Sequence, residues 1–164
     1  MRKDVTQTHL LDRTLVDKDS DVMWGVGTLD EANSFIGLAR VHARDSTVRE
    51  YLERIQYKMF KAGTEFVSDQ HNITEEDYSE LMEMIKHLES VVRRPRSFIL
   101  LEKNESGAFL SVARSVVRRA ERVAVGLQKS KKVSKLLVEW LNKLSYLLYL
   151  MNLIEIDGDY DEIK

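Results

Sequence analysis

The sequence holds no cysteine, one proline and seven glycines in 164 residues. Without thiols there is no disulfide framework, no thiolate metal site and no cysteine nucleophile. So little proline and glycine cannot supply the turn every ~8–12 residues that a sandwich or barrel needs, so helices are the expected element. A dominant charge is missing too. Lys and Arg number 25 against 27 Asp and Glu, and the net of −2 gives the chain as a whole no electrostatic pull towards nucleic acid or anionic lipid. No apolar run approaches the ~18 residues of a membrane span, and the opening Met1-Arg2-Lys3-Asp4 has no apolar signal core. One soluble, cytoplasmic domain is the expectation.

What the chain does have is helical period. Five segments place apolar residues three and four apart, the stripe that packs one helix on its neighbours. They begin at Leu29, Leu52, Tyr78, Leu110 and Val133, and the last runs to Ile154. Thr28 with Glu31 reads as a capping box for the first, Thr47 with Glu50 as one for the second, and Thr74 before Glu75, Glu76 and Asp77 opens the third. Short links favour antiparallel neighbours, so the expected fold is all-α, an up-and-down five-helix bundle over 27–156. Residues 1–26 show no sustained period, and 157–164 form an acidic tail. The apolar run Phe98-Ile99-Leu100-Leu101 lies in the one long connection and is expected to be buried against something.

Two stretches offer chemistry. Arg114, Arg118 and Glu121 share one face of the fourth segment, and eight basic residues stand between Arg114 and Lys135 against Glu121 alone. A solvated face laced with ion pairs would look the same, each pair worth only about 0.3–0.5 kcal/mol. A phosphate clamp is the sharper reading, since a cation–phosphate contact at about 4 Å is worth roughly 4 kcal/mol before desolvation. Asn142 and, in the first segment, Asp30 and Asn33 have ordinary roles as hydrogen-bonding and capping residues. The Glu-x-x-His pairs of a di-iron bundle are lacking, Glu83 with His87 being the nearest candidate. No Walker loop or Gly-x-Gly-x-x-Gly turn occurs, and Gly25-Val26-Gly27 is only a weak anion-site signal.

Taken together, Gly27-Thr28-Leu29-Asp30-Glu31-Ala32-Asn33, Arg114 with Arg118-Arg119-Ala120-Glu121-Arg122, and Trp140-Leu141-Asn142-Lys143-Leu144-Ser145 resemble the trimeric, five-helix-bundle ATP:cob(I)alamin adenosyltransferases. The likeness spans roughly residues 14–155. It implies transfer of the 5′-deoxyadenosyl group of ATP to the cobalt of cob(I)alamin, giving adenosylcobalamin and triphosphate. ATP would carry magnesium, and a corrinoid reductase is a possible partner; neither nucleic acid nor membrane is. The resemblance implies a homotrimer with sites between subunits, to which 1–26 contribute. It assigns Arg118 and Glu121 to catalysis and Lys18, Arg118, Arg119, Glu121, Arg122 and Asn142 to ATP. Phe98, Asp30 and Arg114 would serve the corrinoid, with Phe98 closing its lower face and Asp30 bridging to Arg114 across subunits.

The chain departs from the family pattern at three points. The stretch matching the amino-terminal phosphate loop, Lys3 to Thr8, keeps an Asp and a Thr but neither glycine; Leu101-Glu102-Lys103 replaces Pro-Gly-Gly; and Tyr146 replaces an aspartate. The competing readings are a non-catalytic relative that binds ATP or a corrinoid as carrier or regulator, and a plain helical interaction protein with a basic face.

Overall fold

The computed structural model describes residues 5–68 and 70–160. Its elements are β1 (Gln7–His9), β2 (Leu15–Asp17), α1 (Asp21–His42), α2 (Ser46–Val67), α3 (Glu75–Val91), α4 (Glu105–Lys129) and α5 (Lys135–Ile156). The expected up-and-down five-helix bundle forms. Its cross-links join early positions of one helix to late positions of the next, as antiparallel neighbours require. Arg40 reaches Glu53 between α1 and α2, His42 reaches Glu105 between α1 and α4, and Asn142 reaches Glu121 between α4 and α5. No helix among the described residues is long and apolar enough to cross a membrane.

Packing follows the apolar stripes. Ala32, Ala39, Ala113, Ala120 and Ala124 are fully buried, and such small side chains let α1 and α4 approach closely. Around them sit Leu52, Phe66, Leu110, Trp140 and Leu144, all fully buried, each contributing about 1.5–3 kcal/mol by leaving water. Buried carboxylates tie both ends of the bundle. Glu65 accepts from the backbone amides of Asn72, Ile73 and Ser134, while Glu155 accepts from those of Arg44 and Asp45. Sequence period gives no hint of either clamp.

The helix starts differ from expectation at two places. α1 opens at Asp21 after Ser20, so Gly25, Gly27 and Thr28 lie inside it and Thr28 caps nothing. Its hydroxyl donates to the Trp24 carbonyl at 2.7 Å, the bond a mid-helix threonine makes. Gly25 is required there, because a Cβ would stand 2.3 Å from the Phe66 ring of α2. α2 is capped by Asp45, which accepts from Val48, rather than by Thr47. Thr74 and Asp77 do form a reciprocal capping box on α3.

Before α1 the chain is not irregular. β1 and β2 pair antiparallel, with Thr8 opposite Val16, through a turn in which Arg13 takes a positive φ of 69°. The Lys3–Thr8 stretch lies partly outside the described residues; from Thr6 on it feeds β1, and the Thr6 carbonyl accepts from Lys18. Of the acidic tail, 161–164 lie outside the described residues, and Asp157 ends α5 in the left-handed conformation.

Candidate active site

A cavity of about 930 Å³ opens between α4, α5 and the segment 93–104. Arg114 and Arg118, one turn apart on α4, form one wall, and Asn142, Tyr146 and Tyr149 form the facing wall from α5. Residues 142, 146 and 149 follow the i, i+4, i+7 stripe of a helix face. The Nδ2 of Asn142 donates to Oε1 of Glu121 at 2.9 Å, which fixes the amide at the cavity edge. Arg114 sits over the Tyr149 ring at 5.9 Å, and Tyr146 stacks on Tyr149 with centroids 6.4 Å apart. Burial raises the Tyr149 phenol, against the opposing pull of Arg114.

The electrostatics of this cavity are one-sided. Arg96, Arg114, Arg118 and Lys143 all line it, no carboxylate does, and none of the four has an ion pair among the described residues. Aromatic walls with unneutralised cations suit a ligand that combines a flat face with negative charge.

Phe98 does not follow the expectation of a buried loop. It is 86% exposed at the cavity mouth, and Leu100 is also exposed, whereas Ile99 and Leu101 turn inward. An extended segment alternates its side chains, so only every second one of the apolar run can face the bundle.

The remaining candidates lie elsewhere. Lys18 and Arg119 line a groove between the hairpin's end, α1 and α4, with Gly27 and the exposed Trp24. Arg119 is already paired there with Glu31. Asp30 lines a third groove, between α1 and α2, beside Asn33, whose buried Oδ1 has no hydrogen-bond partner among the described residues. Arg122 is exposed and lines none of these three. One chain therefore gathers Phe98, Arg114, Arg118, Glu121 and Asn142 but keeps Lys18, Arg119 and Asp30 on other faces. Asp30 and Arg114 belong to different grooves of the same chain. Sequence reasoning overlooked Arg96, Tyr149 and Trp24 and noted Lys143 only as a neighbour of Asn142, although the α5 stripe that carries Tyr149 was readable beside Asn142.

Histidine chemistry plays no part in this cavity. His87 pairs with the Tyr51 hydroxyl at 2.7 Å rather than with Glu83. Among the described residues no group of three or more His, Asp or Glu is placed to hold a metal ion.

Comparison with known proteins bears on the family and the fold. The family model described as cobalamin adenosyltransferase matches residues 1–155. A corrinoid adenosyltransferase of Citrobacter freundii is 30% identical over 155 residues, covering 90% of this chain and 88% of that protein. One from Bacillus subtilis is 34% identical over 137 residues, covering 79% and 71%. The corrinoid adenosyltransferase PduO of Salmonella typhimurium is 34% identical over 153 residues, and this chain spans about half its length, 46%. In fold, the chain is similar to a variant PduO-type ATP:corrinoid adenosyltransferase from Lactobacillus reuteri solved with cobalamin and ATP. The TM-score is 0.84 at 23% identity, over 98% of this chain and 94% of that one. A match that runs through the hairpin and all five helices, with relatives sharing about a third of their residues, means that the chain belongs to the cobalamin adenosyltransferase family.

Proposed function

We propose that this protein transfers the 5′-deoxyadenosyl group of ATP to the cobalt of cob(I)alamin. The observation that carries the reading is the cation-lined, aromatic-walled cavity under Phe98. Cobalt(I) supplies the electron pair that forms the bond to C5′; the C5′–O bond breaks, and its pair leaves with triphosphate. The substrate is itself the nucleophile, so the protein need provide no attacking side chain. Its tasks are to hold the two substrates in line and to stabilise charge on the leaving group.

Arg118 serves the triphosphate, where a fixed cation gains strength as charge moves onto the departing oxygens. Glu121 orients Asn142 through their 2.9 Å hydrogen bond, leaving the Asn142 carbonyl free for the nucleotide. Phe98 covers the lower face of the corrin and keeps water and other ligands from the cobalt. Its exposure on a single chain suits a side chain that meets a large planar substrate. Magnesium arrives with ATP.

Arg122, one turn beyond Arg118 on α4, extends the same row of cations, whereas Lys18, Arg119 and Asp30 complete the site from a neighbouring copy, with Asp30 meeting Arg114 across the interface. The support is their separation from the cavity within one chain. On this reading the protein is a cytoplasmic homotrimer with the amino-terminal hairpin as part of the nucleotide site, served by a corrinoid reductase.

The test is an anaerobic mixture of the protein, chemically reduced cobalamin and MgATP, followed by the cob(I)alamin absorption band. Protein-dependent conversion to adenosylcobalamin is the expected result. Retention of ATP and corrinoid without a carbon–cobalt bond would replace it with the carrier reading, which the missing glycines between Lys3 and Thr8 favour.

A further inference from the structure

The 93–104 segment leaves the bundle at Val92 and returns at Asn104, and its apolar run is half exposed. Something other than core packing has to hold it over the cavity. Near its start, Nη1 of Arg94 donates to the Tyr146 hydroxyl at 3.0 Å, and that hydroxyl donates in turn to Oε1 of Glu89 at 2.7 Å. Arg94 also stands 3.6 Å from the same carboxylate oxygen. The phenol thus accepts from the segment and donates to α3 while its ring belongs to α5. Through its stack on Tyr149, which lies under Arg114, the same ring reaches the α4 wall. Burial and the Glu89 carboxylate both raise the phenol, so it keeps the proton it donates.

We infer that Tyr146 is a positioning residue: its hydroxyl clasps Arg94 to Glu89 and so sets where the 93–104 segment, and Phe98 on it, stands over the cavity. The clasp itself is a matter of geometry; its consequence for the corrinoid rests on the function proposed above. The one hydroxyl oxygen thus joins the segment to both α3 and α5. The hydroxyl and the ring have separable roles, because phenylalanine keeps the stack on Tyr149 and removes only the clasp.

Two readouts test this on the full-length protein. The first is the rate at which trypsin cuts the Arg96–Ser97 bond, which needs no ligand; Pro95 makes the Arg94 bond a poor site. Tyr146→Phe is expected to speed cutting roughly three- to tenfold, the range for losing one or two modest hydrogen bonds. Glu89→Gln should do the same to a smaller degree, and the double variant should add little. The second is steady-state turnover, where Tyr146→Phe should raise KM for the corrinoid by a similar factor and leave KM for ATP unchanged. Equal cutting rates for wild type and Tyr146→Phe would overturn the clasp. Faster cutting with both KM values shifted together would overturn its link to Phe98. A wild-type protein without turnover would defeat the functional reading, and with it the corrinoid role of Tyr146, while the cutting rates still judge the clasp.

Discussion

Two faces of the bundle carry clusters of cations, and they are built on opposite principles. Between α2 and α3 three cations each have an acid: Arg54 meets Glu80 at 2.6 Å, Lys58 meets Asp77 at 2.6 Å and Glu80 at 3.0 Å, and Lys61 meets Asp77. Burial alone would raise the Asp77 carboxyl, but hydrogen bonds from Lys58, Lys61 and Thr74 outweigh it and hold the group well below the usual range. Glu80 is likewise held low by Lys58 and Arg54 against its burial. Between α4 and α5 Arg96, Arg114, Arg118 and Lys143 share a cavity with no carboxylate in its walls. The first face spends its charge on itself and holds two helices together. The second leaves its charge without an internal acid among the described residues. Charge content does not separate them; the presence or absence of internal neutralisation does.

That contrast can be broken by substitution, and the largest effect belongs to the cavity. Arg118→Ala should lower kcat/KM for ATP by roughly 100-fold, about 2.7 kcal/mol of transition-state stabilisation, with the melting temperature unchanged. Unaltered kinetics would remove Arg118 from the site.

On the paired face the response is inverted. Asp77→Asn, which removes the charge that pairs with two lysines and leaves one accepting oxygen in place of two, should cost about 2 kcal/mol of stability and leave turnover per folded molecule intact. Acid titration sharpens this. The folded carboxyl of Asp77 titrates below its unfolded value of ~3.9, so its contribution is complete above about pH 5 and is lost as pH falls through ~4 towards the folded value. Urea denaturation from pH 6 to pH 2 should show the wild type losing stability faster than Asp77→Asn; parallel curves would mean that the lysines do not hold this carboxylate.

Phe98→Ala comes next, with roughly a tenfold slower step on cobalt, unchanged ATP binding and no loss of stability, because the ring is 86% exposed. A defect in ATP binding would put Phe98 on the nucleotide side. Smallest is Lys135→Ala, whose ion pair among the described residues is the exposed one with Glu139 one turn away. Denaturant midpoints should move by less than about 0.5 kcal/mol.

The period of the apolar residues was enough to read five helices and their antiparallel order, because burial imposes that period directly. Helix ends were harder. Thr28 and Glu31 have the spacing of a capping box, yet the groove that Gly25 opens for Phe66 lets α1 start eight residues earlier. The hairpin was invisible: two three-residue strands joined at a positive-φ arginine leave no pattern that sequence spacing can register. In the site, the alignment of Arg114, Arg118 and Glu121 followed from helix geometry alone, and Asn142 was singled out by resemblance before it was found bonded to Glu121. Tyr149 and Arg96 escaped notice because a cavity wall is a tertiary property. The internal pairing of Lys58 and Lys61 could not be told from sequence for the same reason, since Asp77 lies on the next helix.

The central claim is that the unneutralised cavity does the chemistry and that Lys18, which one chain holds in a different groove, completes it from a neighbouring copy. Complementation tests this most directly. Lys18→Ala and Arg118→Ala chains, each nearly inactive alone, are co-expressed, mixed oligomers are isolated by two different tags, and adenosyl transfer is measured. Recovered turnover in the mixed oligomers, where an intact Lys18 of one chain can meet an intact Arg118 of another, is the predicted result. Mixed oligomers no more active than either variant alone would contradict the shared site.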